Sequence, residues 1–273
     1  MRILVTGRAS SGSWKVRGEQ LGRAIGALVR PRCMDLRGAD IVVWVKRVMK
    51  GAPLRGRFWV WDIVDAWPQP EGNAWDDARA VAWLREEIGR HKPNAIVFPT
   101  TAMLEDSGWQ GPALVLPHHA WPRYHPVARR ERVQAVGYEG SHVHLGRWRE
   151  RLEQACAARR WRFEVNGDMP QCDIGIALRE CAGHAPRRWK SNVKLANLQA
   201  LGIPAICSPE RGYLEFGSGS EIYVQTEDEL ADALDRCASQ EFRADAAVRM
   251  RAAVPTLTQM AERYKAWLAT LSS

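Results

Sequence analysis

The chain lacks the features that would tie it to a membrane or to a cysteine-bound metal. No apolar run approaches the ~18–20 residues that a bilayer-spanning helix needs. The opening stretch MRILVTGRASSG has neither the basic leader nor the long apolar core of a signal peptide, so a cytoplasmic protein with no membrane partner is expected. Six cysteines, at positions 33, 156, 172, 181, 207 and 237, form no C-x-x-C pair. Zinc ribbons and redox motifs need closely spaced thiols, so reduced and mostly buried thiols are expected instead. There is no repeat of solenoid period and no low-complexity segment. Phenylalanine and tyrosine are scarce, five of each, against 13 tryptophans.

What is present is the composition of a globular protein with a core. The 273 residues are 46% hydrophobic and 26% charged, enough for one large domain or two of ordinary size. Lys and Arg number 39 against 31 Asp and Glu, a net charge of +8, which favours polyanionic partners by long-range attraction.

Short apolar strands alternate with helical patterns. Arg2 to Gly7 is a strand running into glycine, a Gly/Ser loop follows, and Val16, Leu21, Ala24, Ile25 and Leu28 then recur at helical spacing. Strands are expected at 41–45, 58–63, 95–98 and 113–116, with a helix over 75–90 capped by Asn73. This is the opening of an α/β domain with a parallel sheet covered on both faces. The pattern lapses in WPRYHPVARR, so a boundary is placed there, giving domains 1–128 and 129–273.

The alternation then restarts. Strands are expected at 133–138, 161–165, 173–178, 203–207 and 221–224, and helices at 145–160 and 191–201. Thr226 and Glu229 read as a capping box opening a further helix, and the tail from Arg243 is helical except near Pro255. The fold class expected is α/β, with two Rossmann-like domains.

Gly7 and Gly12 have the spacing of a phosphate-binding P-loop, but Ser13-Trp14 stands where Lys-Ser/Thr belongs, so NTP hydrolysis loses its main electrostatic parts. The loop either approaches a ligand through its backbone N–H groups or is a tight turn.

A second region is richer. Arg179 ends a strand, and Arg187, Arg188 and Lys190 stand just before a helix that starts near Ser191 or Asn192. Cations, helix dipole and N-terminal N–H groups combine into an anion site at the carboxyl end of a strand. Lys190, Lys194 and Asn197 share one helix face. Tyr213 and Glu215 follow the next strand, where a carboxylate can accept hydrogen bonds from sugar hydroxyls. His142-x-His144 has no third ligand at fitting spacing, so no metal site is expected.

The run from Asp173-Ile174-Gly175 through KSNVKLANLQALGIPAI to GYLE resembles the donor half of GT-B glycosyltransferases, and SGSWKVRGEQLG and VGYEG resemble phage and bacterial members. The resemblance implies two Rossmann-like domains facing a cleft. The C-terminal domain would hold a nucleotide-sugar such as a UDP-sugar as co-substrate, with no other cofactor, and the final helix would return to the N-terminal domain. It places the donor on Arg179, Arg187, Arg188, Lys190, Ser191, Asn192, Lys194, Asn197, Tyr213 and Glu215. Gly12, Ser13, Arg17, Gly137 and Gly140 would border the cleft. Many retaining members carry two glutamates with seven residues between them. Aligned on Gly202 and Pro204, those positions here are Trp189 and Asn197. The absence of a D-x-D triplet agrees with metal-independent transfer.

An inverting transfer needs a base for the acceptor hydroxyl. Asp62 and Asp65 come first, because a carboxylate beside aromatic surface can have a raised pKa, and His119 second. Trp59, Trp61, Trp67, Trp75 and Trp121, with Arg55, Arg57, Arg123, Arg129, Arg130 and Arg132 nearby, suit stacking on a nucleic-acid strand or simply a core. A polyanionic acceptor such as a hydroxymethylated base in double-stranded DNA follows. The alternative is a non-catalytic module that binds a nucleotide or nucleic acid. In a thermal-shift panel, nucleoside diphosphates should raise the melting temperature with the logarithm of concentration above Kd. Lys190→Ala and Arg188→Ala should each abolish that shift and leave the apo melting temperature nearly unchanged.

Overall fold

A computed structural model describes the chain over residues 1–9, 11–64, 76–128, 130–180 and 189–271. It forms two compact α/β units. Among the described residues, the first unit holds the chain up to His119 together with 189–191 and 255–271, and the second holds 120–180 and 192–254. The chain thus enters the second unit at Ala120, ahead of the expected boundary at 128/129. Ala120 and Tyr124 are the reason, since both are buried in the second unit's core.

The first unit is a six-stranded parallel sheet. Its strands are β1 (Ile3–Gly7), β2 (Leu28–Val29), β3 (Ile41–Val45), β4 (Trp59–Asp62), β5 (Ala95–Phe98) and β6 (Ala113–Val115), in the order β2-β1-β3-β4-β5-β6. Because side chains alternate along a strand, each strand feeds two cores. Val42, Trp44, Trp59, Trp61, Ile96 and Phe98 face one side. Ile41, Val43, Val45, Val60 and Val97 face the other.

The helices of this unit follow from their own apolar spacing. After the single turn α1 (Gly22–Ala24), α2 (Asp77–His91) presents Ala80, Leu84 and Ile88 to the tryptophan-rich side, and α3 (Thr101–Ser107) adds Met103 there. Asp76 caps α2 by accepting a hydrogen bond from the Arg79 N–H at 2.8 Å. The helix therefore starts two residues later than expected, and Asn73 lies outside the described residues. Trp189 fills the same core, its indole N–H donating to Asp106 at 2.6 Å.

The opposite side is covered by a π-helical segment, Trp14–Leu21, in place of the α-helix expected from Trp14 onward. Its wide winding lets the Trp14 ring lie on the backbone of Gly18, where a Cβ would stand 2.4 Å from the indole. On the same side packs the last helix, whose label follows those of the second unit.

The second unit is a five-stranded parallel sheet of β7 (Ala135–Tyr138), β8 (Arg162–Val165), β9 (Ile174–Ala177), β10 (Ala205–Cys207) and β11 (Ile222–Tyr223), ordered β11-β10-β9-β7-β8. One face carries small residues: Ala135, Gly137, Gly175, Ala177 and Ala205. They let the mostly buried helix α5 (Val193–Leu201) come close, with Leu198 lying directly over Gly175. Gly137 is likewise part of β7 and covered by Cys172 and Met169, so it belongs to the core and not to a cleft loop. The other face is packed by α4 (Trp148–Ala158) and, beyond α6 (Arg211–Phe216), by α7 (Glu227–Ala238), which opens on the expected capping box of Thr226 and Glu229.

Pro255 divides the tail into α8 (Gln240–Ala253) and α9 (Leu257–Thr270). From α9, Met260, Ala261, Tyr264 and Leu268 complete the first unit's second core. Cys33, Cys156, Cys172, Cys207 and Cys237 are free thiols. No helix among the described residues is long and apolar enough to cross a membrane. Leu268→Ala should cost about 2–5 kcal/mol, the range for emptying a buried leucine site, read as a lower urea midpoint. A loss below ~1 kcal/mol would mean that α9 does not carry this face.

Candidate functional site

Parallel α/β sheets present ligand-binding groups at the carboxyl ends of their strands, and both units carry polar clusters there. In the first unit, β4 ends at Asp62, on the same face as Val60 and therefore beneath the π-helix and α9. It is fully buried, and neither carboxylate oxygen has a hydrogen-bond partner. Burial pushes its pKa up, while the Arg17 guanidinium and the nearby Val64 N–H pull it back.

Arg17 comes from the π-helix and is itself 1% exposed. It donates through Nη2 to the Leu116 carbonyl and leaves Nε and Nη1 without partners. His119, just beyond β6, is buried as well, with Nε2 2.8 Å from Oε1 of Gln20. Burial and then Arg17 depress its pKa to about 4, so at neutral pH the ring is uncharged. With Nε2–H given to Gln20, the Nδ1 lone pair is the free one, and it has no partner.

Three more residues complete the cluster, of which Tyr264 and Lys46 were not expected from the sequence. The Tyr264 hydroxyl from α9 is buried without a partner, and burial together with Asp62 raises its pKa. Lys46 follows β3 and donates to Ser13 Oγ at 3.1 Å. His118 is buried beside Arg17 and His119 and is held well below its ordinary pKa by that burial. Lys46 and Val64, each just past a strand end, sit at φ of 66° and 71°. For a β-branched valine this is a strained conformation, and such strain concentrates at working sites. The rule of strand carboxyl ends points to Lys46; nothing local points to Tyr264, which sequence places some two hundred residues away. Gly12 is exposed in the helical residues that lead directly into the π-helix. Asp65 lies outside the described residues.

The second unit gathers Tyr138, Gly140, Arg179, Lys194, Glu210 and Tyr213 around the ends of β7, β9 and β10. Lys194 Nζ lies 3.7 Å from the centroid of the Tyr138 ring. A Cβ on Gly140 would stand 2.9 Å from that ammonium, and its φ of +137° also favours glycine. Arg179 is buried. Its backbone N–H donates to Ser208 Oγ at 2.9 Å, its guanidinium stands 3.9 Å from the Glu210 carboxylate, and its Nε and Nη1 have no partner. Burial drives the Tyr138 phenol to about 12 and the Tyr213 phenol well above its ordinary value, with Glu210 adding to both.

Asn197 is tied into this edge: its amide donates to Glu139 at 2.7 Å and accepts from the Trp121 N–H at 3.0 Å, while the Tyr124 hydroxyl donates to Glu139 at 2.9 Å. Asn192 is buried at the start of α5, with no side-chain cap. Glu215 pairs instead with Arg211 at 2.8 Å, one helical turn away.

Ser191 is buried and Lys190 half-buried in the stretch that belongs to the first unit. Arg187 and Arg188 lie outside the described residues. Trp59 and Trp61 are core, Trp121 is half-buried under the Arg123 guanidinium, and Trp67 and Trp75 lie outside the described residues. Among the described residues, no three His, Cys, Asp or Glu side chains are placed to hold a metal ion. The chemistry on offer is anion binding at the second unit's edge and proton transfer at the first unit's edge.

No protein-family model matches the chain, and no curated protein does. Solved structures do. The Anabaena protein Alr3699/HepE, crystallised with UDP and glucose, superposes with a TM-score of 0.64 at 12% identity over 100% of both chains. AviGT4, a glycosyltransferase of avilamycin A biosynthesis, gives 0.60 at 13% identity, covering 100% of this chain and 98% of its own. A glycosyltransferase from Rickettsia africae ESF-5 gives 0.59 at 10% identity, covering 99% and 98%. Two parallel-stranded α/β units and these full-length superpositions together make the fold of this chain that of the GT-B glycosyltransferases.

Proposed function

We propose that this chain is a metal-independent glycosyltransferase that moves a sugar from a nucleoside-diphosphate donor, such as a UDP-sugar, to an acceptor hydroxyl. The observation that carries the reading is the buried cluster of Arg17, Asp62, His119 and Tyr264, each of which has at least one polar atom without a hydrogen-bond partner within the protein. Buried polar groups are otherwise almost always hydrogen-bonded, so a cluster of orphans at strand carboxyl ends is a site awaiting a ligand.

In this reading the acceptor oxygen attacks the anomeric carbon and its proton passes to Asp62, whose raised pKa makes it the stronger base of the pair. The Arg17 charge offsets that of the carboxylate, and neutral His119 accepts a second hydroxyl hydrogen bond at Nδ1. The bond from the anomeric carbon to the diphosphate breaks, and the electron pair leaves on the phosphate. In the second unit Arg179, Lys194 and the α5 amino end meet that charge without a metal, and Lys190, Ser191, Arg187 and Arg188, which precede α5 in sequence, keep the donor role that the resemblance gives them. Asn197, positioned by Glu139, takes the ribose role, since Glu215 is engaged by Arg211.

The acceptor is a polyanion in this reading, supported by the net charge of +8; a hydroxymethylated base in DNA is one such acceptor. A second reading, a non-catalytic nucleotide-binding module, is favoured by Trp189, which occupies a core where the family's motif has a glutamate. Incubation with mixed nucleotide-sugars separates the two: slow release of nucleoside diphosphate supports transfer, and complete inertness supports the binding module.

Asp62→Asn removes a buried carboxylate that lacks hydrogen-bond partners without changing shape, so the protein should fold while kcat falls about 10²–10⁴-fold. In the parent enzyme kcat/KM should rise with pH through the raised Asp62 pKa, and that limb should vanish in the variant. His119 binds no proton above about pH 4 when folded but takes one up to pH 6.5 when unfolded, so its contribution to stability rises across that window. The gain should be on the order of 3 kcal/mol, and His119→Asn should flatten it in pH-dependent urea titrations.

A further inference from the structure

The crossover from β3 to β4, residues 46–58, contains no helix. It runs from the carboxyl end of β3 to the amino end of β4, and leaves a trough where a crossover helix would ordinarily cover the sheet. The trough is a cavity of about 1180 Å³ between this crossover and the end of α2. Trp59 opens β4 and Asn94 precedes β5, so the cavity lies at the amino end of the sheet. It stands about one strand length, ~10 Å, from Asp62.

Its lining is one-signed. Lys50, Arg55, Arg57, Arg90 and Lys92 contribute charge, and no Asp or Glu is among the lining residues. Arg90 is paired with Glu87. Among the described residues, the charged groups of the other four have no ion-pair or hydrogen-bond partner. Three of them are exposed and Arg57 is half-buried. Four like charges around one concavity repel one another, so an arrangement of this kind is stabilised by an anion that enters it. The floor, Leu54, Phe58 and Trp59, is apolar and suits the uncharged links between charges.

We propose that this cavity binds a single strand of a phosphodiester polymer, gripped through successive phosphates by Lys50, Arg55, Arg57 and Lys92. Several separated cations, rather than one focused pair, match a chain whose charges repeat along its length. The floor aromatics are largely covered by their own core, so recognition is of backbone charge and not of bases. The site is separate from the carboxyl-edge clusters and does not depend on transfer chemistry.

The test is fluorescence anisotropy of the full chain with labelled oligothymidylate of twelve nucleotides, with unlabelled poly(glycerol phosphate) as competitor. Four phosphate contacts predict that log Kobs falls with log salt at a slope of about −3. Arg55→Glu/Arg57→Glu and, independently, Lys50→Glu/Lys92→Glu should each weaken binding at least tenfold. All four side chains lie outside the core, so folding should be kept, and the nucleoside-diphosphate thermal shift should be unchanged in both variants. Displacement by the competitor assigns the ligand to phosphodiester chains in general, and failure to displace narrows it to nucleic acid. Oligonucleotide binding that neither variant weakens, or a salt slope near zero, overturns the proposal.

Discussion

A carboxylate taken out of water must be neutralised, paired or hydrogen-bonded, and Asp62 is buried with the Arg17 charge and the Val64 N–H to compensate it. That placement is a consequence of strand alternation. Trp59 and Trp61 claim one face of β4 for the core, so Val60 and Asp62 fall on the other, under the π-helix and α9. A one-residue slip in β4 would send Asp62 into the tryptophan core and expel the indoles. The apolar pattern therefore pins the polar site, and the elements that roof it supply its other members: Arg17 from the π-helix and Tyr264 from α9.

The second unit solves a different problem. Its sheet must bring a helix close enough that cations near the helix start reach the strand ends. Small residues on one face of β7, β9 and β10 allow this, and Leu198 over Gly175 marks the closest approach. Lys194 then reaches the Tyr138 ring, and Gly140 stays bare to admit it. Arg179 and Glu210 stand too far apart for a hydrogen bond, which leaves the guanidinium with donors to spare. Buried charges of this kind contribute little to stability and are more readily understood as preparation for a charged ligand.

Much of this was legible along the chain. The strand 41–45 and the strand 95–98 are found with the expected bounds, because apolar runs ending in Gly, Pro or polar clusters admit few readings. Asp62 and His119 follow strands, so the rule of carboxyl ends finds them. The same rule applied evenly would have reached Lys46 and Glu139. The tryptophans allowed two readings for a physical reason: an indole beside arginine in sequence looks the same whether it stacks on a ligand or inside a core, and for Trp59 and Trp61 alternation within the sheet decides for the core. The short elements β2, α3 and α6 passed unseen, since runs of two to seven residues carry too little periodicity.

By itself the sequence determined the two alternating α/β patterns, the cation-rich stretch before residue 193, the capping box at Thr226 and the candidate acids at strand ends. These depend on local propensity and on period, which neighbours along the chain suffice to specify. Only tertiary structure decided that Tyr264 and Arg17 meet Asp62, that Trp189 becomes core, that Glu215 turns to Arg211, and that the β3–β4 crossover leaves a basic trough. Each of these depends on which side chains are brought together from distant parts of the chain, and so on packing, which no window of sequence contains.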